Sequence, residues 1–169
     1  MTLDTAVRLP DLPALARYAA VAALHQAYAA CLDHGEIERW PAFFTADGHY
    51  RAQGRDNYDR GLPLSTLSCD GQGMLADRVT VISKIMVYAP RTLRHVIASP
   101  EILEDHGDWL RARASYCVFH TLPHEPTSLL SVGRYEDRIA IDSAGQLRFL
   151  ERLAIYDSLL IPNSLVYPL

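Results

Sequence analysis

Seven histidines, three cysteines and twenty acidic residues in 169 give this chain the raw material for metal binding or acid–base work, and their spacing decides between them. Cys31 with His34 and Cys117 with His120 form two Cys-x-x-His pairs, the ligand count of a zinc site. The first pair lies in a stretch of helical period, where residues three apart share a face. The second lies in an alternating stretch, where residues three apart point to opposite faces, so the four ligands do not converge without a bulge. A two-histidine, one-carboxylate iron site can be drawn from His49, His95 and Asp47 or Asp70. The set Asp47, His49, Tyr50, Asp70 and His95 would equally suit a small dehydratase or isomerase, because a cavity can shift a His or Asp pKa toward neutrality. Plainer roles compete: Asp47 in a turn, Asp70 as a helix N-cap, His95 as a half-buried strand residue bonded to its neighbours. His120 and His124 straddle Pro123 and read as solvated turn residues.

Other chemistries lack their minimum parts. The chain has no Gly-x-Gly-x-x-Gly, no phosphate-binding Gly-Lys-Ser/Thr, no His-Glu-x-x-His and no Gly-x-Ser-x-Gly. It also has no Cys-x-His, the usual first half of a Rieske ligand set. A net charge of -4 provides no basic surplus for nucleic acid or anionic lipid. The most apolar stretch, 18–32, is interrupted by His25 and Gln26 and is too short to span a bilayer, and residues 1–10 lack the order of a signal peptide. The chain reads as cytoplasmic, with its odd, widely spaced cysteines reduced and buried as small hydrophobes.

The elements that would position these residues change in texture along the chain. Asp11 is a candidate N-cap with Pro13 in the first turn, and Leu15, Tyr18, Ala22, His25, Ala29 and Leu32 make a helical stripe that Gly35 stops. A short second helix is predicted over 36–44, with Ile37, Trp40, Phe43 and Phe44 as its apolar patch. A turn follows at Ala46, Asp47 and Gly48, then the start of a strand over 49–52 and a loop over 54–63. A third helix is predicted over 70–84. From Pro90 onward, 92–99, 109–122, 129–141 and 146–157 alternate apolar and polar residues, joined by short turns at 123–126 and 142–145. Helices first and strands after predict an α+β domain over 11–169, three N-terminal helices packed on a curved antiparallel sheet, with residues 1–10 as a flexible arm.

Charged residues recur in the strand half: Arg94 beside His95, Arg134 to Arg138, Glu151 with Arg152, and Asp157. Outward Arg and Tyr side chains on strands suit a protein interface, and solvated cross-strand ion pairs fit the same pattern.

An ordered series of residues carries a resemblance to a known family. Trp40-Pro41-Ala42-Phe43-Phe44, Asp47 with His49-Tyr50, Leu75-Ala76-Asp77-Arg78-Val79, Leu93-Arg94-His95, Val132-Gly133-Arg134-Tyr135-Glu136-Asp137, and Glu151-Arg152 with Asp157 follow one another over about residues 20–160. In order and spacing this resembles the small (β) subunits of aromatic-ring-hydroxylating dioxygenases, the Rieske non-haem iron oxygenases. The terephthalate-type members look nearest, through the 40–50 stretch and Pro168-Leu169. The resemblance implies a cystatin-like, nuclear-transport-factor-2-like (NTF2-like) cone in an assembly of three large and three small subunits, with self-association of the small subunit as a trimer. The large subunit would carry the Rieske [2Fe-2S] cluster and the mononuclear non-haem iron, and a separate reductase would use NAD(P)H. This chain would hold no metal or cofactor and would be inactive alone. The resemblance makes Arg78, Arg94, His95, Tyr135, Glu136, Asp137, Arg152 and Asp157 fold-fixing or subunit-contact residues and assigns no catalytic residue. The 54–68 and 104–108 segments depart from the family pattern. A stand-alone dehydratase or isomerase using Asp47, His49, Tyr50, Asp70 and His95 is the competing reading.

Overall fold

The Asp11 carboxylate accepts a 2.8 Å hydrogen bond from the Ala14 N–H and Pro13 occupies the first turn, so helix α1 (Leu12–Asp33) begins where its cap predicts. The computed structural model describes residues 10–158, 160 and 165–169; the predicted arm, apart from Pro10, lies outside them. Helix α1 buries Val21, His25, Tyr28, Ala29 and Leu32 at three-to-four-residue spacing, and leaves Leu12 and Leu15 of its first turns exposed.

The predicted second helix is a short 3₁₀ stretch, Ile37–Phe43, because Pro41 lacks an N–H and disfavours the α conformation at Trp40. Strand β1 (Phe44–Gly54) starts earlier than predicted, and the turn expected at Ala46 to Gly48 is a bulge within it. Pairing passes from Phe44↔Phe149 to His49↔Glu151, so β1 carries extra residues between them. The 54–63 segment, predicted as loop, contains a one-turn helix α2 (Arg55–Asp59), and a short strand β2 (Leu67–Asp70) then pairs with β1. Helix α3 (Gly71–Thr80) widens into a π-type turn over Val81–Ile85.

Strands β3 (Thr92–Ile97), β4 (Glu101–Asp105), β5 (Trp109–Thr121), β6 (Ser128–Ile141) and β7 (Leu147–Tyr156) complete a seven-stranded sheet. Its order is β2-β1-β7-β6-β5-β3, and β4 lies beside the first half of β5 where β3 lies beside the second. The sheet is mixed, not wholly antiparallel as predicted: β1 runs parallel to β7. Hairpin turns force antiparallel neighbours, but β1 reaches β7 through the whole intervening chain, which leaves its direction free.

Helices α1 and α3 and the 3₁₀ stretch cover one face of this curved sheet. One apolar cluster between the layers includes Tyr28, Trp40, Phe44, Tyr50, Leu75, Tyr116, Tyr135, Ile139 and Phe149. Each fully buried side chain such as Leu75 or Phe149 contributes about 1.5–3 kcal/mol relative to exposure. Residues 165–169 return to the mouth of the cone, where Leu165, Val166 and Leu169 are buried. Arg78 donates to the Leu165 and Val166 carbonyls, the Tyr28 hydroxyl donates to the Leu169 carbonyl at 3.0 Å, and the Leu169 N–H donates to the Tyr50 hydroxyl at 2.7 Å.

Candidate functional site

The strand alternation that makes the core also points three ionisable side chains into it. Asp137 on β6 and Arg152 on β7 are register partners, and His25 reaches them from α1. The Arg152 guanidinium grips Asp137 through two parallel 3.0 Å hydrogen bonds, Nε to Oδ1 and Nη2 to Oδ2, while His25 Nε2 lies 2.8 Å from Oδ2. All three are enclosed, with 2%, 1% and 0% exposure for His25, Asp137 and Arg152. The guanidinium carbon sits 4.0 Å from the Tyr135 ring centre, 4.1 Å from Phe149 and 4.2 Å from Tyr28, so the cation is packed in π faces as well as ion-paired.

Burial is the largest influence on the Asp137 carboxyl and pushes its pKa up, but the Arg152 cation and the His25 hydrogen bond outweigh it and hold the group below the usual carboxylate value. Burial also dominates at His25, where it lowers the pKa further than the Asp137 hydrogen bond raises it. The imidazole is therefore neutral near pH 7, with its proton on Nε2 facing the carboxylate and a lone pair on Nδ1, which has no partner among the described residues. A neutral His–Asp pair is the chemistry of a general base. The depression that His25 helps to line, with Tyr18, Ala22, Gln26 and Ile97 to Pro100, holds about 120 Å³, well below the roughly 300 Å³ and upward of a small-molecule pocket.

A depressed histidine pKa has a defined sign in stability. The unfolded chain takes up a proton near pH 6.5 that folded His25 refuses, so its contribution is complete above that pH and is lost progressively as pH falls from there to the lower pKa of the folded group. Lowering the pH from 7.5 to 5.5 is expected to reduce the unfolding free energy of the wild type by up to about 1.4 kcal/mol per pH unit from this group, read as a lower urea midpoint. The His25→Gln variant keeps a donor to Asp137 but does not titrate, and its midpoint should fall less over the same interval. Equal falls in both proteins would show that His25 is not the group responsible.

Of the alternative acid–base set only His49 and Asp70 are brought together. Alternation along β1 sends His49 to the outer face and Tyr50 into the core. His49 Nδ1 lies 2.9 Å from Asp70 Oδ1, with Arg51 3.6 Å from the same oxygen, all half-exposed. Asp70 holds the cap position of α3 but makes no side-chain cap bond, because its carboxylate is turned to β1. Asp47 is exposed in the bulge, where a 2.9 Å bond from the Thr45 hydroxyl lowers its pKa. His95 belongs to a separate cluster with Asp33 at the end of α1. The Asp33 carboxylate accepts the His95 backbone N–H at 3.0 Å to each oxygen and lies 2.6 Å from its ring Nδ1, capping the free edge of β3. Arg94, its side chain 65% exposed, reaches within 3.7 Å of the same carboxylate.

Of the remaining predicted residues, Arg78 binds the 165–166 backbone, and Tyr135 stacks on Tyr116 with centroids 4.3 Å apart. Glu136 lies on the outer face between Arg113 at 2.7 Å and Arg134 at 3.2 Å, and Asp157 pairs with Arg55 at 2.6 Å. Sequence reasoning assigned no site role to His25 or Asp33. Their signals were present: a histidine on the apolar stripe of α1, and an acid in the last turn of a helix, where the dipole disfavours it.

The SnoaL-like domain model matches residues 13–152. The terminal oxygenase component subunit beta 2 of terephthalate 1,2-dioxygenase from Comamonas sp is 35% identical over 152 residues, 88% of this chain and 96% of that protein. The small subunit of anthranilate 1,2-dioxygenase from Burkholderia cepacia is 30% identical over 146 residues, 86% of this chain and 90% of its own. A crystal structure described as the β subunit of an aromatic-ring-hydroxylating dioxygenase from Novosphingobium aromaticivorans superposes with a TM-score of 0.84 at 37% identity, covering 93% of this chain and 99% of that one. The chain belongs to the small subunits of aromatic-ring-hydroxylating dioxygenases.

For this small subunit the family fold is the helix-covered, NTF2-like cone described above. No group of three or more His, Cys, Asp or Glu side chains converges as a metal site among the described residues. The two Cys-x-x-His pairs are separated by the sheet: Cys31 is buried beneath α1, whereas Cys117 alternates with the inward Tyr116 and Val118 and faces out. No helix among the described residues is long and apolar enough to cross a membrane.

Proposed function

We propose that this chain is the non-catalytic small subunit of a terminal oxygenase acting on an aromatic carboxylate. In this reading it holds large subunits in an assembly of three large and three small chains, and its own copies meet as a trimer. The large subunit supplies the Rieske cluster and the mononuclear iron, and a separate reductase draws electrons from NAD(P)H. The observation that carries the reading is the state of the cone interior. Tyr28, Trp40, Tyr50, Phe149, Arg152 and the 165–169 segment fill it, and the His25–Asp137 pair within it is locked to an arginine. The relatives' descriptions as terephthalate and anthranilate dioxygenase subunits support an aromatic acid as the assembly's substrate class.

Co-expression with a cognate large subunit is expected to yield a stable brown complex that contains iron and oxidises an aromatic acid when reductase and NAD(P)H are added. The small chain purified alone is expected to be colourless and without turnover. Dehydration or isomerisation of a small aromatic or polyketide substrate by the lone chain would overturn the assignment, as would a large subunit that folds, assembles and turns over without it.

A further inference from the structure

Helix α1 has no charged solvent side. From Leu12 to Leu32 its one ionised side chain is Arg17, and beyond Tyr18 its exposed positions are Ala19, Ala23, Gln26, Ala27 and Ala30. At its start Leu12 is 81% and Leu15 48% exposed. A helix on a protein surface carries polar and charged residues opposite its buried stripe, and one that is apolar all round is a buried helix. In the lone chain α1 is buried on one side only. It lacks the Lys and Arg that seat a helix on an anionic membrane, so the cover it calls for is protein.

Two open depressions border the helix where it lies against β3. One of about 380 Å³ has Ala29, Ala30, Asp33, Arg94 and Val96 in its wall; the other, of about 120 Å³, has Tyr18, Ala22 and His25, and both share Gln26 and Ile97. Ion pairs stand at the two ends of this groove, Arg17 with Asp105 at 3.6 Å and Arg94 with Asp33 at 3.7 Å. The helix runs about 23 Å from Tyr18 to Asp33, and no ionised side chain lies between these ends. An uncharged centre inside a charged rim is the anatomy of a protein interface.

We propose that the exposed side of α1 and the groove beside it dock the large subunit, and that the occupant is an amphipathic helix of that chain whose large apolar side chains enter the two depressions. The inference rests on the small-subunit reading and adds to it the face and the chemistry of the contact. An added strand does not fit, because the Asp33 carboxylate already takes the His95 N–H at the free edge of β3. A second copy of α1 does not fit either. Its alanines leave the depressions empty, and a strip about 33 Å long and 10 Å wide buries roughly 330 Å² a side, less than half the about 800 Å² of a stable pair. A partner helix with Leu, Met or Phe at every third or fourth position fills the depressions, and alanine on this side lets the two axes approach to about 8 Å.

The test is assembly with a cognate large subunit, followed by size exclusion and by titration of the separated subunits. Ala23→Glu and Ala27→Lys place good helix formers at exposed positions, so each lone variant is expected to keep the wild-type circular dichroism and to melt within about two degrees of it. Each should weaken association about tenfold or more whatever the sign of its charge, because docking would bury that charge unpaired. Ser115→Glu, exposed on the sheet face that no helix covers, should assemble like wild type. Raising the salt should leave the wild-type affinity within about twofold, since burial of apolar surface is not screened. If the wild type assembles and both α1 variants match it, the face is wrong and the small-subunit reading stands. Weakening of the same size by Ser115→Glu would also overturn the face, by showing that any added charge suffices. So would a change in self-association of the lone chain with no change in affinity for the large subunit, which puts a second copy on α1, or a lone variant that melts far below wild type, which means the chain covers the helix itself. If the folded wild type fails to bind its large subunit, the reading falls and the proposed face falls with it.

Discussion

Replacing Arg152 with methionine is expected to cost about 3–5 kcal/mol, a large fraction of the roughly 5–15 kcal/mol by which a domain is stable. Two effects contribute, and their sizes differ. Loss of the cation from the faces of Tyr28, Tyr135 and Phe149 removes about 0.5–2 kcal/mol. Loss of the bidentate partner leaves the Asp137 carboxylate enclosed with only a neutral histidine beside it, and this term is the larger. The ranking has two consequences. The double variant Asp137→Leu with Arg152→Met should recover most of the loss, because no buried charge remains. In the single variant the Asp137 pKa should rise, since burial is no longer opposed by a cation. A raised carboxyl pKa makes the variant gain relative stability as pH falls through it, so its deficit against wild type should shrink between pH 7 and pH 5. Urea midpoints of the three proteins at both pH values check this. A single variant within about 1 kcal/mol of wild type would mean that the ion pair is dispensable.

Gly133→Ala is expected to be comparably severe for a steric reason. Gly133 sits on β6 opposite Tyr116 and Tyr156, and a Cβ built there would lie 2.0 Å from the Ile155 carbonyl oxygen and 2.9 Å from the Tyr156 Cα. Those atoms are backbone, so no side-chain rotation relieves the overlap, and β6 and β7 must separate at the middle of the sheet. A loss of about 3 kcal/mol or more follows, or roughly 6–12 °C in melting temperature for a domain of this size. The effect should appear as low soluble yield and a lowered thermal midpoint. An alanine variant that melts within two degrees of wild type would contradict the close approach of these strands.

These two sites show what was legible in the sequence and what was not. Asp11 with Pro13, the stripe from Leu15 to Leu32 and the long alternating runs placed α1 and β5 to β7, because capping and periodicity are local signals. The pairing of Asp137 with Arg152 was not legible: it depends on the β6–β7 register, and the segment Arg134 to Arg138 read equally well as surface charge. Alternation could have warned that Tyr135 and Asp137 share a face while Glu136 has the other, which is what the structure shows. His49 and Tyr50, adjacent on a strand, could never have formed one cavity site. The short elements β2, β4 and α2 carry too few residues for a period, and tertiary pairing decides them. The direction of β1 was beyond local reasoning, since an alternating strand reads the same in either orientation.

That parallel seam constrains how the polypeptide is made. Phe44 finds its neighbour only when Phe149 exists, so at translation speeds of about 5–20 residues per second the early strand waits roughly 5–20 s for its mate. Through that interval the edge that β7 will cover stays open, although β2 can already pair with the other edge and Trp40 can already pack on Phe44 and Tyr50. Such separation in sequence also slows refolding from denaturant, since closing the longest loop comes before any reward. A nascent protomer is thus competent to meet an oxygenase partner only after nearly its whole length has left the ribosome.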